Sequence, residues 1–458
     1  MAKWLAPLII FLVSMVLMLG CAVIKPAVVI KIKKVDFTLD TFWIPPFIAA
    51  TICLACQFIP AVDAFRSLWR FSTLNPVGII ILVFSNVYIS KFLDTTGFFK
   101  MAATWAILKS GKSGTKLYFI IYFTVAIITI VSSNDVAILT FTPFVTYFAR
   151  AAGINPLPYL FGQFMSANSW GIMLIISNPT NIVIGTGFGQ SFGVYVKYAA
   201  IPCIFGGMTP CIMLYLMFKK QITKEFMMKE KLPEPKSLIN NRFDMWVGVF
   251  FLAATVVFMA CSSIPGFSID LWQIAGIMAA VLLVYNIVID IWRYIKEKQS
   301  PKLKEIMSTL PYSIIPFLLS LFILVSNLTG TGLFQIIGSN IAKLTNVSTP
   351  IAITIFGVIA TIFGNALNNI PMSVSMVPII QATDNKNPLG SIYAAIIGAN
   401  LTALLTPLGS LAGIMWIALL RGNHVKIGFA DFMKIGFIVT PTALALSLSA
   451  LMIILLLW

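Results

Sequence analysis

Four short stretches put amides, hydroxyls and prolines inside otherwise apolar sequence: Ser132-Ser133-Asn134-Asp135, Ser177-Asn178-Pro179-Thr180-Asn181, Asn365-Ala366-Leu367-Asn368-Asn369-Ile370-Pro371 and Thr406-Pro407-Leu408-Gly409-Ser410. Proline and short polar side chains interrupt helices and free backbone groups. At membrane depth such groups are tolerated only when buried in protein or lining a wet cavity. The N-terminus of a broken helix offers unpaired N–H groups and the positive dipole end, which suit an anion without a full positive charge. Unwound carbonyls, Asn amide oxygens and Ser/Thr hydroxyls suit a dehydrated Na⁺. One break can therefore serve both ions, on its two sides. The expected substrate-binding residues are Ser133, Asn134, Asn178, Thr180, Asn368, Asn369, Thr406 and Ser410; the expected ion-coupling residues are Asp135, Asn168, Asn181 and Asn400. Isolated Asn and Ser residues also serve as helix-packing glue in membranes, but packing gives no reason for clusters placed symmetrically along the chain.

Asp135 is the one acid within a broken segment. A carboxylate inside a membrane is costly and is a functional candidate by default. It reads as a cation or proton site, the alternative being a cap for the half-helix that follows. Asp94, near Lys91 and Lys100, reads as a cap or ion-pair partner. His424 lies beside Arg421 and Lys426 without companion ligands and reads as a surface residue. Cys53-Leu54-Ala55-Cys56 has a redox-like spacing, but neutral thiols in an apolar span are inert. Gly185-Thr186-Gly187-Phe188-Gly189 lacks the spacing of a dinucleotide loop, and no metalloprotease, P-loop or nucleophile-elbow pattern occurs. No cofactor is expected, and no metal beyond a coupling Na⁺; the coupling ion is Na⁺ or H⁺.

These residues have to be held by a membrane scaffold. Of 458 residues, 59% are hydrophobic and 10% charged, against roughly 25% charged in soluble domains. That is too little charge to cover a soluble surface, which excludes soluble, disordered and nucleic-acid-binding classes. Stretches long enough for a bilayer core of ~30 Å fall at 4–24, 41–61, 74–93, 116–133, 198–218, 244–262, 268–290, 310–328, 349–367 and 435–457. The intervals 134–187 and 369–421 are too interrupted for simple spans. The first span has Lys3 before it and Leu19-Gly20-Cys21 near its end, faintly like a lipoprotein signal, but Met18 is a poor match and a mature span is expected.

The net charge of +16, from 31 Lys+Arg against 15 Asp+Glu, is assigned to cytoplasmic loops. The segment from Lys219 to Arg242, with Lys224, Lys229 and Lys231, reads as a cytoplasmic linker; two spans later Arg293, Lys296, Lys298, Lys302 and Lys304 form a second basic loop on the same side. With the N-terminus outside, Lys25, Lys31, Lys33 and Lys34 also fall inside, whereas Arg66 and Arg70 fall outside, against the rule.

Pro76 and Gly97 recur as Pro311 and Gly332, and Asn134 and Pro143 as Asn369 and Pro378, each 235 residues on; Ala167-Asn168 recurs as Ala399-Asn400 at 232. The expected architecture is an all-α polytopic membrane protein of two repeats, 1–218 and 244–458, joined by the basic linker 219–243. Units that enter the membrane from opposite faces form an inverted-topology repeat, common among secondary transporters.

The sequence resembles the ion transporter superfamily that contains arsenite permeases, sodium/proton antiporters of the arsenite-permease/P-protein group, and divalent-anion/sodium symporters. The resemblance rests on Phe92-Leu93-Asp94-Thr95-Thr96-Gly97-Phe98-Phe99, Ser133-Asn134-Asp135-Val136-Ala137, Ser177-Asn178-Pro179-Thr180-Asn181-Ile182, Asn368-Asn369-Ile370-Pro371 and Thr406-Pro407-Leu408-Gly409-Ser410-Leu411, and covers nearly the whole chain. It implies a dimerising scaffold domain and a transport domain that moves elevator-fashion. It also implies re-entrant hairpins near 134–165 and 369–400 whose tips hold substrate and ions. Arsenite permeases tend to carry acids where this chain has Asn168 and Asn400, and a Gly-Pro pair at Thr402-Ala403. Amides in place of acids remove proton-carrying capacity and the strongest cation ligands.

The expected function is secondary active transport of a small anion, a di- or tricarboxylate or an inorganic oxyanion, coupled to Na⁺ or H⁺ by alternating access. The expected setting is a homodimer in the bacterial inner or plasma membrane, with no nucleic-acid partner. The alternatives are arsenite/antimonite efflux and Na⁺/H⁺ antiport. An intramembrane enzyme would need paired carboxylates or a serine–base pair, and a channel would show neither saturation nor counterflow.

Overall fold

A computed structural model of the chain describes residues 3–32, 35–70, 74–222, 225–226, 233–267, 269–297, 301–385 and 388–457. Lys33, Lys34, Lys224, Lys229, Lys231 and Lys298, which enter the charge argument, lie outside the described residues. Among the described residues nine helices are long and apolar enough to cross a bilayer, from Leu5–Ile24 to Phe429–Leu457. Hydropathy predicts one span over 41–61, but the helix there, Ile44–Ala55, stops short and a second, Ala61–Trp69, begins where the predicted span ends. Between them Gln57 takes φ 54° and Pro60 cannot continue a helix; a hydropathy average registers neither. A second departure is an antiparallel hairpin, Ala27–Ile32 paired with Val35–Asp40, where only a basic loop is expected.

Local chemistry sets the helix ends. Pro76 opens Pro76–Thr95, and Asn75 caps it by accepting from the Gly78 N–H at 2.9 Å. That helix turns into Phe98–Ser110 at Gly97 (φ 87°), and Ile314–Gly330 turns into Leu333–Thr345 at Gly332 (φ 81°). These left-handed corners favour glycine. At the first corner the Leu238 carbonyl occupies the space a Cβ on Gly97 would need. The Asn240 N–H donates to the Thr96 carbonyl at 3.0 Å. The end of the basic linker is thus seated on the corner rather than fully solvated.

Gly114–Val131 and Thr349–Leu367 run to two tips, from which Asn134–Ala151 and Asn369–Gln381 return; Leu157–Ser169 and Leu389–Leu405 follow. Thr349–Leu367 and Leu389–Leu405 pack closely, and the Gly357 carbonyl lies against Gly398 where any side chain would collide. Outer helices cross between halves. Ile44–Ala55 and Ala61–Trp69 pack on Ile314–Gly330, while Leu271–Glu297 and Lys302–Thr309 pack on Pro76–Thr95. Behind the tips lies the main core, with Tyr118, Tyr122, Phe141, Phe164 and Trp416 fully buried.

Candidate functional site

Each broken stretch starts a helix: Asn134–Ala151, Pro179–Gly187, Asn369–Gln381 and Leu411–Gly422. Each helix is capped from its own stretch. Ser133 Oγ accepts from the Val136 N–H at 3.3 Å, and Asn178 Oδ1 from the Thr180 N–H at 3.1 Å. Asn368 Oδ1 accepts from the Ile370 N–H at 3.5 Å, and Ser410 Oγ from the Gly413 N–H at 3.0 Å. A single cap leaves other first-turn N–H groups free. Pro179–Gly187 packs against Asn369–Gln381, and Leu411–Gly422 against Asn134–Ala151, so each tip meets a break from the other half. Asn368 holds φ 78° and ψ 151°, a region nearly reserved for glycine that costs about 1–3 kcal/mol. Its Nδ2 donates to the Leu408 carbonyl at 3.2 Å and clamps it there.

The four N-termini converge on one cavity of about 610 Å³, lined by Asn134, Asp135, Asn178, Asn369 and Ser410 among the expected residues. Ser133 and Asn368 stand behind it as caps. Thr180 is buried, with its Oγ1 unpartnered among the described residues. Thr406 is off the cavity and donates to Asn365 Oδ1 at 2.7 Å. Asn168, Asn181 and Asn400 are fully buried and do not line it. Asn181 and Asn400 form an amide network with Asn178 behind the tips, and Asn168 pairs separately with Asn134. Asn178 Nδ2 donates to Asn400 Oδ1 at 2.8 Å, Asn400 Nδ2 to Asn181 Oδ1 at 2.6 Å, and Asn181 Nδ2 to the Gly171 carbonyl at 2.7 Å. Asn134 Nδ2 reaches Asn168 Oδ1 at 3.4 Å. Asn400 therefore ties both parts of the Asn178–Asn181 break to the second half.

The cavity also holds a cation that the sequence reading overlooks. Lys91 lines it with a side chain only 12% exposed, and its Nζ pairs with Asp94 Oδ2 at 3.4 Å. Asp94 Oδ1 accepts from Thr140 Oγ1 at 3.4 Å, which joins Pro76–Thr95 to Asn134–Ala151. Asp94 is thus the ion-pair partner expected of it. The signal for Lys91 was available: a lysine inside an apolar span, with an acid three residues on, is as notable as Asp135. The Asp135 N–H donates to Asn134 Oδ1 at 3.0 Å. Its carboxylate has no hydrogen-bond or ion-pair partner among the described residues.

Asp40, on the hairpin after the first helix, lines the cavity mouth. Burial pushes its carboxyl above the usual carboxylate range, partly offset by a hydrogen bond with Ser313. Among the described residues no cluster of His, Cys, Asp and Glu could hold a metal ion, and none of the cysteines lines the cavity.

Span-length helices whose broken partners meet tip to tip at one cavity define a polytopic membrane transporter. The fold is that of the Alcanivorax borkumensis YdaH transporter (TM-score 0.57, 13% identity, 98% of each chain). It is also that of Neisseria gonorrhoeae MtrF, described within a class of antimetabolite efflux pumps (TM-score 0.58, 13% identity, 98% of this chain and 94% of that one). The citrate transporter family (CitMHS) matches residues 1–398, and the chain belongs to it. It is also similar to the arsenical pump membrane proteins of Escherichia coli strain K12 (25% identity over 371 residues, 80% of this chain, 83% of the relative) and of Yersinia enterocolitica (25% over 417 residues, 88% and 92%). The protein is a multi-pass membrane transporter of this type.

Proposed function

We propose that the protein is a secondary active transporter that moves a small anion, of di- or tricarboxylate or oxyanion type, coupled to Na⁺ or H⁺. The observation that carries this reading is the convergence of four separately capped helix N-termini, with Lys91, on a single cavity. Unpaired N–H groups and dipole ends attract negative charge without fixing it as an arginine cluster would, which suits a substrate that must also leave. Asp135, open to the cavity with no partner for its carboxylate among the described residues, is the proposed site of the coupling cation. The buried amide of Asn400 is bonded to Asn178 and Asn181, and that of Asn168 to Asn134; their proposed role is to hold the breaks in register.

Two inverted repeats with re-entrant hairpins, expected at 134–165 and 369–400, belong to the same proposal, with the tips read between Gly114–Val131 and Asn134–Ala151 and between Thr349–Leu367 and Asn369–Gln381. Its support is the recurrence of helix starts at Phe98 and Leu333, Gly114 and Thr349, and Asn134 and Asn369, together with the reciprocal packing of outer helices. The cavity mouth is formed by residues such as Pro26, Asp40, Pro311 and Asn423. The Asn423 carbonyl accepts from Arg150 at 2.7 Å, and Asn155 donates to Gln221 at the start of the linker at 2.9 Å. With the linker cytoplasmic, this is a cytoplasm-facing state of an alternating-access, elevator-type cycle.

Arsenite efflux, the activity named for the arsenical pumps, is the less favoured alternative. No cysteine thiol lines the cavity for a thiol-seeking arsenical to use. Thermal-shift titration of purified protein with citrate, succinate, sulfate, phosphate and arsenite, each in Na⁺ or K⁺ and at two pH values, tests the reading. Cation-dependent stabilisation by one of the anions is expected. Stabilisation by arsenite alone would overturn it.

A further inference from the structure

We propose that Lys91 is an anion-binding residue of the transport site, held ready by Asp94 and Thr140 until substrate arrives. This rests on the anion-transport reading. The cavity-lining residues include three charged groups: Asp40 at the mouth, Asp135 at the tip, and Lys91. An incoming anion meets two acids, and among the described cavity-lining residues Lys91 supplies the one full positive charge. A lysine ammonium has three donors. One is spent on Asp94 Oδ2, at 3.4 Å, well beyond the ~2.7–2.9 Å of a tight charge-assisted bond. The other two have no partner among the described residues, and the side chain lines the cavity. Asp94 is itself shared, because its second oxygen takes the Thr140 hydroxyl. The pair therefore orients Lys91 without saturating it.

Lys91 and Asp135 come from different helices, Pro76–Thr95 and Asn134–Ala151, which the long Thr140–Asp94 bond joins. An anion placed between them takes its negative charge to Lys91 and leaves Asp135 to a cation. This predicts that substrates carry at least one full negative charge in the bound form, and that a neutral isostere is rejected.

The test is the apparent Kd for citrate and for sulfate, measured by thermal shift or calorimetry on purified full-length protein in saturating Na⁺. Lys91→Gln is expected to weaken binding at least tenfold with little change in the unliganded Tm, and Lys91→Arg to restore most of it. Asp94→Asn, which releases Lys91 from its resident partner, is expected to bind as tightly as wild type or a few-fold tighter. A Lys91→Gln protein with wild-type Kd overturns the role of Lys91 while leaving the anion reading intact. Wild-type protein that binds no anion overturns the anion reading itself. Should Lys91→Gln fail to fold, Asp94→Asn decides: binding weakened at unchanged Tm overturns the proposal.

Discussion

Two ion clusters flank the helix Pro76–Thr95, and they are built in opposite ways. On the outer side Asp244 is saturated: Arg293 grips both carboxylate oxygens at 2.8 Å, Lys302 Nζ lies at 2.7 Å, and the Tyr285 hydroxyl donates at 2.9 Å. Its side chain is 2% exposed. On the cavity side Lys91 and Asp94 meet at 3.4 Å, and the Asp135 carboxylate is unpartnered among the described residues. A buried charge is stable only when its hydrogen-bonding capacity is used. The first cluster therefore fastens Arg242–Cys261, Leu271–Glu297 and Lys302–Thr309 to one another. The second leaves capacity unspent, as a site must if ions are to enter and leave it.

Removing the saturated centre should do the most damage. Asp244→Ala strands Arg293 and Lys302 and is expected to cost about 3–5 kcal/mol, seen as a large fall in Tm or loss of monodisperse protein. A mild effect would mean the cluster is not a fastening. Asp135→Asn should act in the opposite sense. Gradient-driven anion uptake into proteoliposomes is lost, while Tm stays close to wild type because no described partner is stranded. Retained uptake would remove Asp135 from the coupling role.

The amide network lies between these extremes. Asn400→Ala leaves the Asn178 Nδ2 and Asn181 Oδ1 atoms without their partner, at about 1–3 kcal/mol for each stranded buried group. Tm and anion affinity should fall together; a fall in affinity alone would point to direct ligand contact. The smallest effect is expected at the mouth. Because burial raises the Asp40 carboxyl, lowering the pH neutralises it before an ordinary aspartate. Binding of sulfate, which does not titrate in this range, should tighten as pH falls. The gain is less than about threefold at a wet, screened mouth, and Asp40→Asn should flatten it.

The helix breaks on the cavity side are legible in the sequence, whereas the Asp244 cluster is not, because Arg293 and Lys302 read as a basic loop and meet Asp244 only through packing. Capping is local, so Ser133, Asn178, Asn368 and Ser410 announced where helices begin, and the 235-residue offset aligned Asn134 with Asn369. The amide network was not legible, because its bonds join residues 219 and 222 apart and depend on how the halves dock. Lys91 was visible as a lysine in an apolar span, but its orientation toward the cavity follows from packing that no periodicity encodes. The cavity is consequently less charge-poor than the sequence suggests. The hairpin Ala27–Ile32 with Val35–Asp40 was hidden by its basic residues, which read as a loop although its β-branched positions favour strands.

Counterflow tests the transport reading most directly. Proteoliposomes containing the full-length protein are loaded with unlabelled citrate, or with whichever anion stabilises the protein, and given a trace of labelled anion outside. A carrier with one exchangeable site predicts a transient, saturable accumulation of label that requires Na⁺ or a proton-coupled condition and disappears in Asp135→Asn. Flux that neither saturates nor shows counterflow, or full counterflow in Asp135→Asn, would contradict it.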